Sequence, residues 1–158
     1  MSKSLKRVIA TAENLGLQIE AIKMDVPTNT AQQAADAIGA DVQQIAKSVI
    51  FRGQTSDQVF MFLTAGGNRV DVNRASAITE EPLGKADAAY IREKTGFAIG
   101  GVSPIGHTGP VKIFWDETLS QFDEIWAAAG TPHHMFAIAP GKLRESIGAI
   151  EAHFIQTD

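Results

Sequence analysis

The segment "GGVSPIGHTGP", residues 100–110, combines a glycine-rich backbone with one serine and one histidine, which are residue types of hydrolytic sites. Four glycines and two prolines occupy its eleven positions. Glycine lets a backbone approach a ligand closely with its N–H groups exposed, and proline fixes the shape of the loop. A rigid loop of exposed amides suits the binding of a carbonyl oxygen or an anion. A turn that needs several positive φ angles is the alternative.

Side-chain chemistry in this loop has less support. Proline follows Ser103 directly, so the G-x-S-x-G pattern of a nucleophile elbow is absent, although Ser103 stays open as a nucleophile. The paired glycines match neither a P-loop nor a G-x-G-x-x-G fingerprint. His133 and His134 are adjacent and would point to opposite faces of a strand, so they cannot chelate one metal together. Because the chain contains no cysteine, thiolate ligands are excluded, and no metal or cofactor is expected.

Charge and composition limit the partners. The net charge of −4, from 14 basic and 18 acidic side chains, argues against a general polyanion binder and against DNA as a partner. Residues 42–112 nevertheless carry eight basic groups against six acidic ones, so the middle of the chain could contact a few phosphates. No apolar run approaches the roughly 20 residues of a membrane span. We therefore expect no membrane partner, and a cytoplasmic location fits the cysteine-free composition.

The elements that must position these residues alternate along the chain. Helical spacing of apolar residues, ended in four cases by a glycine, predicts helices over 4–15, 27–39, 71–79, 85–96 and 141–148. Runs typical of strands cover 17–24, 46–53, 58–66, 111–119, 124–130, 134–140 and 149–155. The second and third runs are joined through residues 53–57 as a hairpin. This pattern predicts an α/β or α+β fold, a single compact domain over 1–158 with a mixed, mostly antiparallel sheet surrounded by helices.

Three segments then carry a resemblance to a known family: "AKSVIF" at 46–51, "GFAIGGVSPIGH" at 96–107 and "AAAGTPHHMFAIAPGKL" at 127–143. Together, in this order, they resemble the YbaK/ProX family of free-standing aminoacyl-tRNA deacylases, which are related to the editing insertion of bacterial prolyl-tRNA synthetase. The most specific part is the G-x-x-x-P loop, here Gly100–Pro104, combined with the strand lysine Lys47. The resemblance implies a YbaK-like fold that binds the aminoacylated 3′ end of a tRNA and hydrolyses the ester.

The resemblance also implies a role for each matching residue. Lys47 would contact the phosphate of the terminal adenosine or position the substrate. The loop residues Gly100, Gly101 and Pro104 would hold the ester carbonyl through backbone amides. The residues expected to bind the amino acid are Thr30, Ser48, Val102, Ser103, Gly130, Met135 and, on the face of Met135 by strand alternation, His133.

The chemistry expected of such a site needs few protein groups. An aminoacyl ester is already activated, so hydrolysis requires a positioned water and an oxyanion site more than a strong protein base. A 2′-hydroxyl of the RNA would orient that water, without a metal, a cofactor or a covalent nucleophile. "HHMF" at 133–136 and Thr30 predict a pocket of modest size for a small uncharged side chain, alanine first, on mischarged tRNA-Pro.

Two other functional classes stay open from the sequence. One is a module that binds aminoacyl-tRNA or an aminoacyl-tRNA synthetase without hydrolysing anything. The other is a serine or metal hydrolase that acts on small esters. Retained tRNA binding without turnover would favour the first, and inhibition by a serine-directed reagent or a chelator would favour the second.

Overall fold

The computed structural model describes residues 2–157, so the first and last residues of the predicted domain lie outside the described part. The α-helices of this part are α1 (Lys3–Asn14), α2 (Ala31–Ile38), α3 (Val72–Thr79), α4 (Ala88–Thr95) and α5 (Pro140–Ile147). Its strands are β1 (Ile22–Lys23), β2 (Ala46–Gly53), β3 (Val59–Ala65), β4 (Leu83–Lys85), β5 (Lys112–Trp115), β6 (Ile125–Ala128), β7 (His134–Ile138) and β8 (Ile150–Glu151). Two short 3₁₀-helices cover Val42–Gln44 and Glu117–Gln121.

The strands form two sheets. The larger sheet has the order β4-β2-β3-β5-β8, with antiparallel pairing around β2 and parallel pairing of β3 with β5 and of β5 with β8. The smaller sheet, β1-β7-β6, is antiparallel. An isolated parallel bridge between Ile45 and Trp126 connects the two. The predicted α+β class with mixed strand pairing and flanking helices is thus confirmed, with the strands divided between two sheets.

Strand β3 is the centre of the core, and all seven of its residues are buried. Because successive side chains of a strand point to opposite faces, Met61 and Leu63 pack into the cluster that includes α1 and the smaller sheet. Phe60 and Phe62 face the other way, into an aromatic cluster where the ring of Phe62 stacks on Phe114 at 5.1 Å between centroids. Burial on both faces explains why this strand is a continuous apolar run.

The predicted hairpin and the predicted glycine ends of the helices are confirmed, whereas the predicted helix starts at 27 and 85 are wrong, since α2 begins at Ala31 and α4 at Ala88. The Gly53 amide donates to the carbonyl of Gln58 at 2.9 Å, which closes the turn between β2 and β3. Thr30 is the N-cap of α2, and Gly39 ends that helix in the left-handed region at a φ of 80°.

Three strand predictions are wrong in length. Of the predicted strand 111–119, β5 covers Lys112–Trp115, because Asp116 caps the 3₁₀-helix Glu117–Gln121. Of the predicted strand 17–24, β1 includes Ile22–Lys23, since Leu17 instead donates its amide to the carbonyl of Ala12 and continues the end of α1. Of the predicted strand 149–155, β8 covers Ile150–Glu151, and a separate bridge pairs Ile155 with Val70. Alternating apolar residues in these segments contact the core without a full strand partner. No helix within residues 2–157 has the length and apolar character needed to cross a membrane.

Candidate functional site

A cavity of about 610 Å³ lies where the N-terminal end of α2, the first half of β2 and the turn after β3 come together. Its wall includes residues within 28–34, 42–49 and 66–69, together with Gly100, Val102, Ala128 and Met135. Six of the predicted site residues therefore share one cavity: Thr30, Lys47, Ser48, Gly100, Val102 and Met135.

The charge of this cavity differs from that of the whole chain. None of the described residues that line it is acidic, and its two cationic side chains are Lys47 and Arg69. The chain as a whole has a net charge of −4. A concave surface that contains cations and lacks carboxylates concentrates positive potential. The cavity therefore favours an anionic ligand.

Lys47 is half-buried in the wall of the cavity, and its Nζ donates to the carbonyl oxygen of Asn68 at 2.6 Å. Burial lowers the pKa of Lys47, the nearby Arg69 lowers it further, and the carboxylate of Asp116 acts in the opposite direction. An ammonium group in such a place is stabilised by an anionic ligand, because the ligand replaces lost hydration with direct charge pairing.

The turn that carries Asn68 is fixed by Asp116, which is 2% exposed. The Oδ2 of Asp116 accepts from the backbone amide of Ala65 at 3.0 Å and from the side-chain amide of Asn68 at 2.9 Å. Its Oδ1 accepts from the amide of Thr118 at 3.0 Å, which caps the 3₁₀-helix that follows β5. One buried carboxylate thus positions the carbonyl that orients Lys47.

Asn68, Arg69 and Asp116 were missed by the sequence reasoning. In the sequence, Arg69 is one of the eight basic groups within residues 42–112, and Asp116 lies outside that segment. The available signal was weak: "WDET" at 115–118 has an N-cap residue directly after an apolar strand, which predicts a cap but no contact with residue 68.

The glycine-rich loop reaches the cavity through Gly100 and Val102. Gly101 was predicted to supply an amide to the substrate, and in this structure its N–H donates to the carbonyl of Ala98 at 3.0 Å. Pro104 has no N–H to offer. Gly100 and Val102 are the loop residues in the cavity wall, and within residues 2–157 no acceptor is found for their N–H groups, so these two amides are available to a ligand there.

Glycine is nevertheless required at 101 for steric reasons. Gly100 has a φ of +89°, in the region that favours glycine, whereas Gly101 is not in that region. A Cβ at residue 101 would lie 2.8 Å from the Cα of Thr131, closer than real side chains approach a backbone. The loop therefore packs directly on the segment that precedes β7.

Ser103 and His107 contact each other, but not as a nucleophile and its base. Ser103 is fully buried behind the cavity wall, and its Oγ accepts from the amide of Ile105 at 3.4 Å. The Nε2 of His107 donates to the carbonyl oxygen of Ser103 at 2.7 Å. Burial lowers the pKa of His107, and this hydrogen bond partly opposes the effect. The histidine holds the loop rather than activating the serine hydroxyl.

Pro104, Gly130 and His133 also lie outside the cavity wall. Gly130 has a φ of +98°, and a Cβ there would lie 2.8 Å from the carbonyl oxygen of Ser4, so this glycine allows α1 to approach. His133 is exposed just before β7 rather than beside the buried Met135. Strand alternation does not apply to His133, because β7 begins at His134.

Two hydroxyl groups in the wall differ in their hydrogen bonds. The Thr30 hydroxyl accepts from the amide of Gln33 at 3.1 Å and so caps α2. The Oγ of Ser48 is buried without a hydrogen-bond partner among the described residues. A buried hydroxyl without a partner is unfavourable, which makes Ser48 available to a bound ligand.

No group of three or more histidine, aspartate or glutamate side chains is placed to hold a metal ion within residues 2–157.

The α+β fold thus holds a cavity with two cations and no acidic side chain in its described wall, and comparison with known proteins identifies the family. A family model described as "Aminoacyl-tRNA editing domain" matches residues 25–146. The chain belongs to this family, and the resemblance to YbaK-like proteins is confirmed.

Individual relatives agree with this assignment. The chain is 28% identical to the uncharacterized protein YwhH of Bacillus subtilis over 142 residues, 90% of each chain. It is 26% identical to the proline–tRNA ligase of Lactobacillus helveticus over 109 residues, and this match spans 19% of the ligase. A solved protein described as a candidate trans-editing enzyme for prolyl tRNA synthetase is 39% identical, with a TM-score of 0.92 and 99% of each chain covered.

Proposed function

We propose that this protein removes a wrongly attached amino acid from the 3′ end of a tRNA by hydrolysis of the ester, with mischarged tRNA-Pro as the substrate and residues 1–158 acting as one deacylase domain. The observation that carries the proposal is the cavity itself: its described wall contains no carboxylate and brings Lys47 together with Gly100 and Val102 of the glycine-rich loop. The editing family and the proline–tRNA ligase relatives support the same activity.

The cavity suggests how the ester would be held. The ammonium group of Lys47 would bind the phosphate of the terminal adenosine by a charge-assisted hydrogen bond. The amides of Gly100 and Val102 would donate to the carbonyl oxygen as negative charge develops on it. These roles assign phosphate binding to a side chain and oxyanion binding to the backbone.

Proton transfer would come from the substrate. No described lining residue is a histidine, an aspartate or a glutamate, so the wall offers no ordinary general base. The ribose 2′-hydroxyl would orient a water molecule for attack on the carbonyl carbon. The bond between that carbon and the ribose 3′-oxygen would then break, and the 3′-oxygen would take up a proton. An activated ester allows this route without a covalent enzyme intermediate.

The wall of the cavity suits a small amino acid. Ile45, Ala128 and Met135 provide apolar surface, and Ser48 provides one hydroxyl without a partner. That hydroxyl would accept a hydrogen bond from the α-amino group of the bound aminoacyl ester. Alanine is therefore the first amino acid to test.

The test is a deacylation screen of the purified protein, treated with EDTA, against tRNA-Pro charged with alanine, cysteine, serine or threonine. We expect turnover of the alanyl ester and little or none of correctly charged prolyl-tRNA-Pro. Binding without turnover would identify a recognition module instead. Activity that disappears with chelator and returns with zinc, or that a serine-directed reagent abolishes, would overturn the mechanism. Equal release of a large aromatic amino acid would show that the pocket is wrongly assigned.

A further inference from the structure

We propose that Arg69 binds a second phosphate of the RNA, one nucleotide to the 5′ side of the phosphate that Lys47 binds. This inference rests on the proposed function and adds a binding residue to it. Arg69 is exposed at the edge of the cavity, whereas Lys47 is half-buried in its wall. An RNA strand with its terminal phosphate at Lys47 would therefore pass Arg69 as it leaves the cavity.

The backbone on both sides of Arg69 is fixed. Before it, the side chain of Asn68 donates to Asp116 at 2.9 Å and to the hydroxyl of Thr118 at 3.1 Å. After it, Val70 forms a bridge with Ile155, and the carbonyl of Arg69 itself accepts from the amide of Gln156 at 2.8 Å. A fixed backbone presents the arginine at a defined place, which lowers the entropy lost when a ligand binds.

Most other arginines of the described chain have partners. Arg7 donates to the carbonyls of Gly96 and Gly106. Arg52, Arg74 and Arg144 each pair with a carboxylate. Within residues 2–157 no hydrogen bond or ion pair is found for the guanidinium of Arg69, although it lines a cavity.

The electrostatics of the cavity point to phosphate as the ligand. The positive charge of Arg69 contributes to the lowered pKa of Lys47, so the two cations are near enough to repel each other. No acidic side chain of the described wall separates them. In an aminoacyl-tRNA the carboxyl group is esterified, so the anions left for these cations are backbone phosphodiesters. A guanidinium binds phosphate through two parallel hydrogen bonds.

The test compares two substrates with the Arg69→Ala variant. Alanyl-adenosine carries the reacting ester without a phosphate, whereas alanyl-tRNA-Pro carries the complete 3′ end. We expect the variant to lose about tenfold in kcat/KM on the tRNA and to be unchanged on alanyl-adenosine. Arg92→Ala is the matched control, because Arg92 is also exposed but lies on α4, outside the cavity wall. An equal loss on both substrates, or no loss on either, would overturn the proposal.

A binding experiment assigns the phosphate and does not depend on hydrolysis. Short RNAs ending in CCA are prepared with one phosphodiester at a time replaced by an uncharged methylphosphonate. Neutralising the phosphate bound by Arg69 should weaken binding to the wild type and leave binding to Arg69→Ala unchanged. When the logarithm of the binding constant is plotted against the logarithm of the salt concentration, the slope for Arg69→Ala should be smaller than that of the wild type by nearly one, because one fewer counterion is released. If no neutralisation distinguishes the two proteins, Arg69 does not contact the RNA, even if deacylation is observed.

Discussion

Two glycine-containing segments border the same cavity, residues 66–69 and residues 98–107, and they are fixed in different ways. The first is held by side chains from elsewhere: Asp116 binds Asn68, and Gln43 accepts from the amide of Gly67 at 2.6 Å. In the second the contacts are made by its backbone: Gly101 packs on Thr131, and the carbonyls of Ser103 and Gly106 accept from the side chains of His107 and Arg7. The first segment brings to the cavity one cation, Arg69, and the carbonyl that Lys47 contacts, whereas the second contributes the backbone of Gly100 and Val102.

This difference predicts which property a substitution in each segment should change. Where a buried carboxylate organises a turn, its removal leaves several donors without a partner, so the free energy of unfolding should fall. Where the backbone itself is the binding group, one added carbon displaces it, so the rate of deacylation should fall. The four predictions that follow measure folding stability and reaction rate separately.

Asp116→Ala should reduce the free energy of unfolding by about 3–5 kcal/mol, because it leaves the amides of Ala65 and Thr118 and the side chain of Asn68 without their charged acceptor. Denaturant unfolding measures this change. Glu117→Ala is the control, since Glu117 is the exposed neighbour. If both variants unfold at the same denaturant concentration, Asp116 does not organise the turn.

Gly101→Ala should slow deacylation by about 100-fold, since a Cβ that close to Thr131 must displace the loop and misalign the amides beside it. Ser103→Ala removes a hydroxyl that lies behind the wall and should keep a substantial fraction of the activity. Single-turnover rates on mischarged tRNA give the comparison, with thermal melts to show that both variants fold. An inactive Ser103→Ala beside a normal Gly101→Ala would make Ser103 the candidate nucleophile.

Lys47→Ala should reduce deacylation by at least tenfold, since a hydrogen bond to a charged group is worth about 1.5–3 kcal/mol. Lys85→Ala, at an exposed strand residue outside the cavity, is the control. The measurement is kcat/KM on alanyl-tRNA-Pro. Wild-type turnover by Lys47→Ala would remove this residue from the site.

The smallest expected effect concerns the pH dependence of stability. Because burial lowers the pKa of His107 in the folded state, the unfolded chain takes up the proton first as the pH falls below about 6.5. The stabilisation from neutral His107 is therefore complete above that pH and is lost as the pH falls toward the lowered folded value. His107→Gln keeps a donor for the carbonyl of Ser103 and should flatten the fall of Tm between pH 7 and pH 5.5. His153→Gln, at an exposed position, should keep the wild-type slope.

The two segments also differ in how far the sequence predicts them. The 98–107 loop has a local signature, since its glycines, its proline and its histidine lie within a few residues of one another. The 66–69 turn has none, because its organiser, Asp116, is 48 residues away from Asn68. They meet because β5 pairs in parallel with β3, a crossover that periodicity alone does not specify. The helix caps and the hairpin were predictable for the same reason as the loop: their signals are short-range.

One helix cap in the cavity wall has a consequence for sequence variation. Thr30 was predicted to bind substrate, yet its oxygen accepts from the amide of Gln33 within a complete capping box. Among natural variants of this domain, position 30 should therefore vary among serine, threonine, aspartate and asparagine, the residues that cap helices well. Differences in the preferred amino acid should instead accompany changes at Ser48 and Met135, whose side chains do not cap a helix. The residue type at position 30 would then depend on the capping of α2 and not on which amino acid the protein removes.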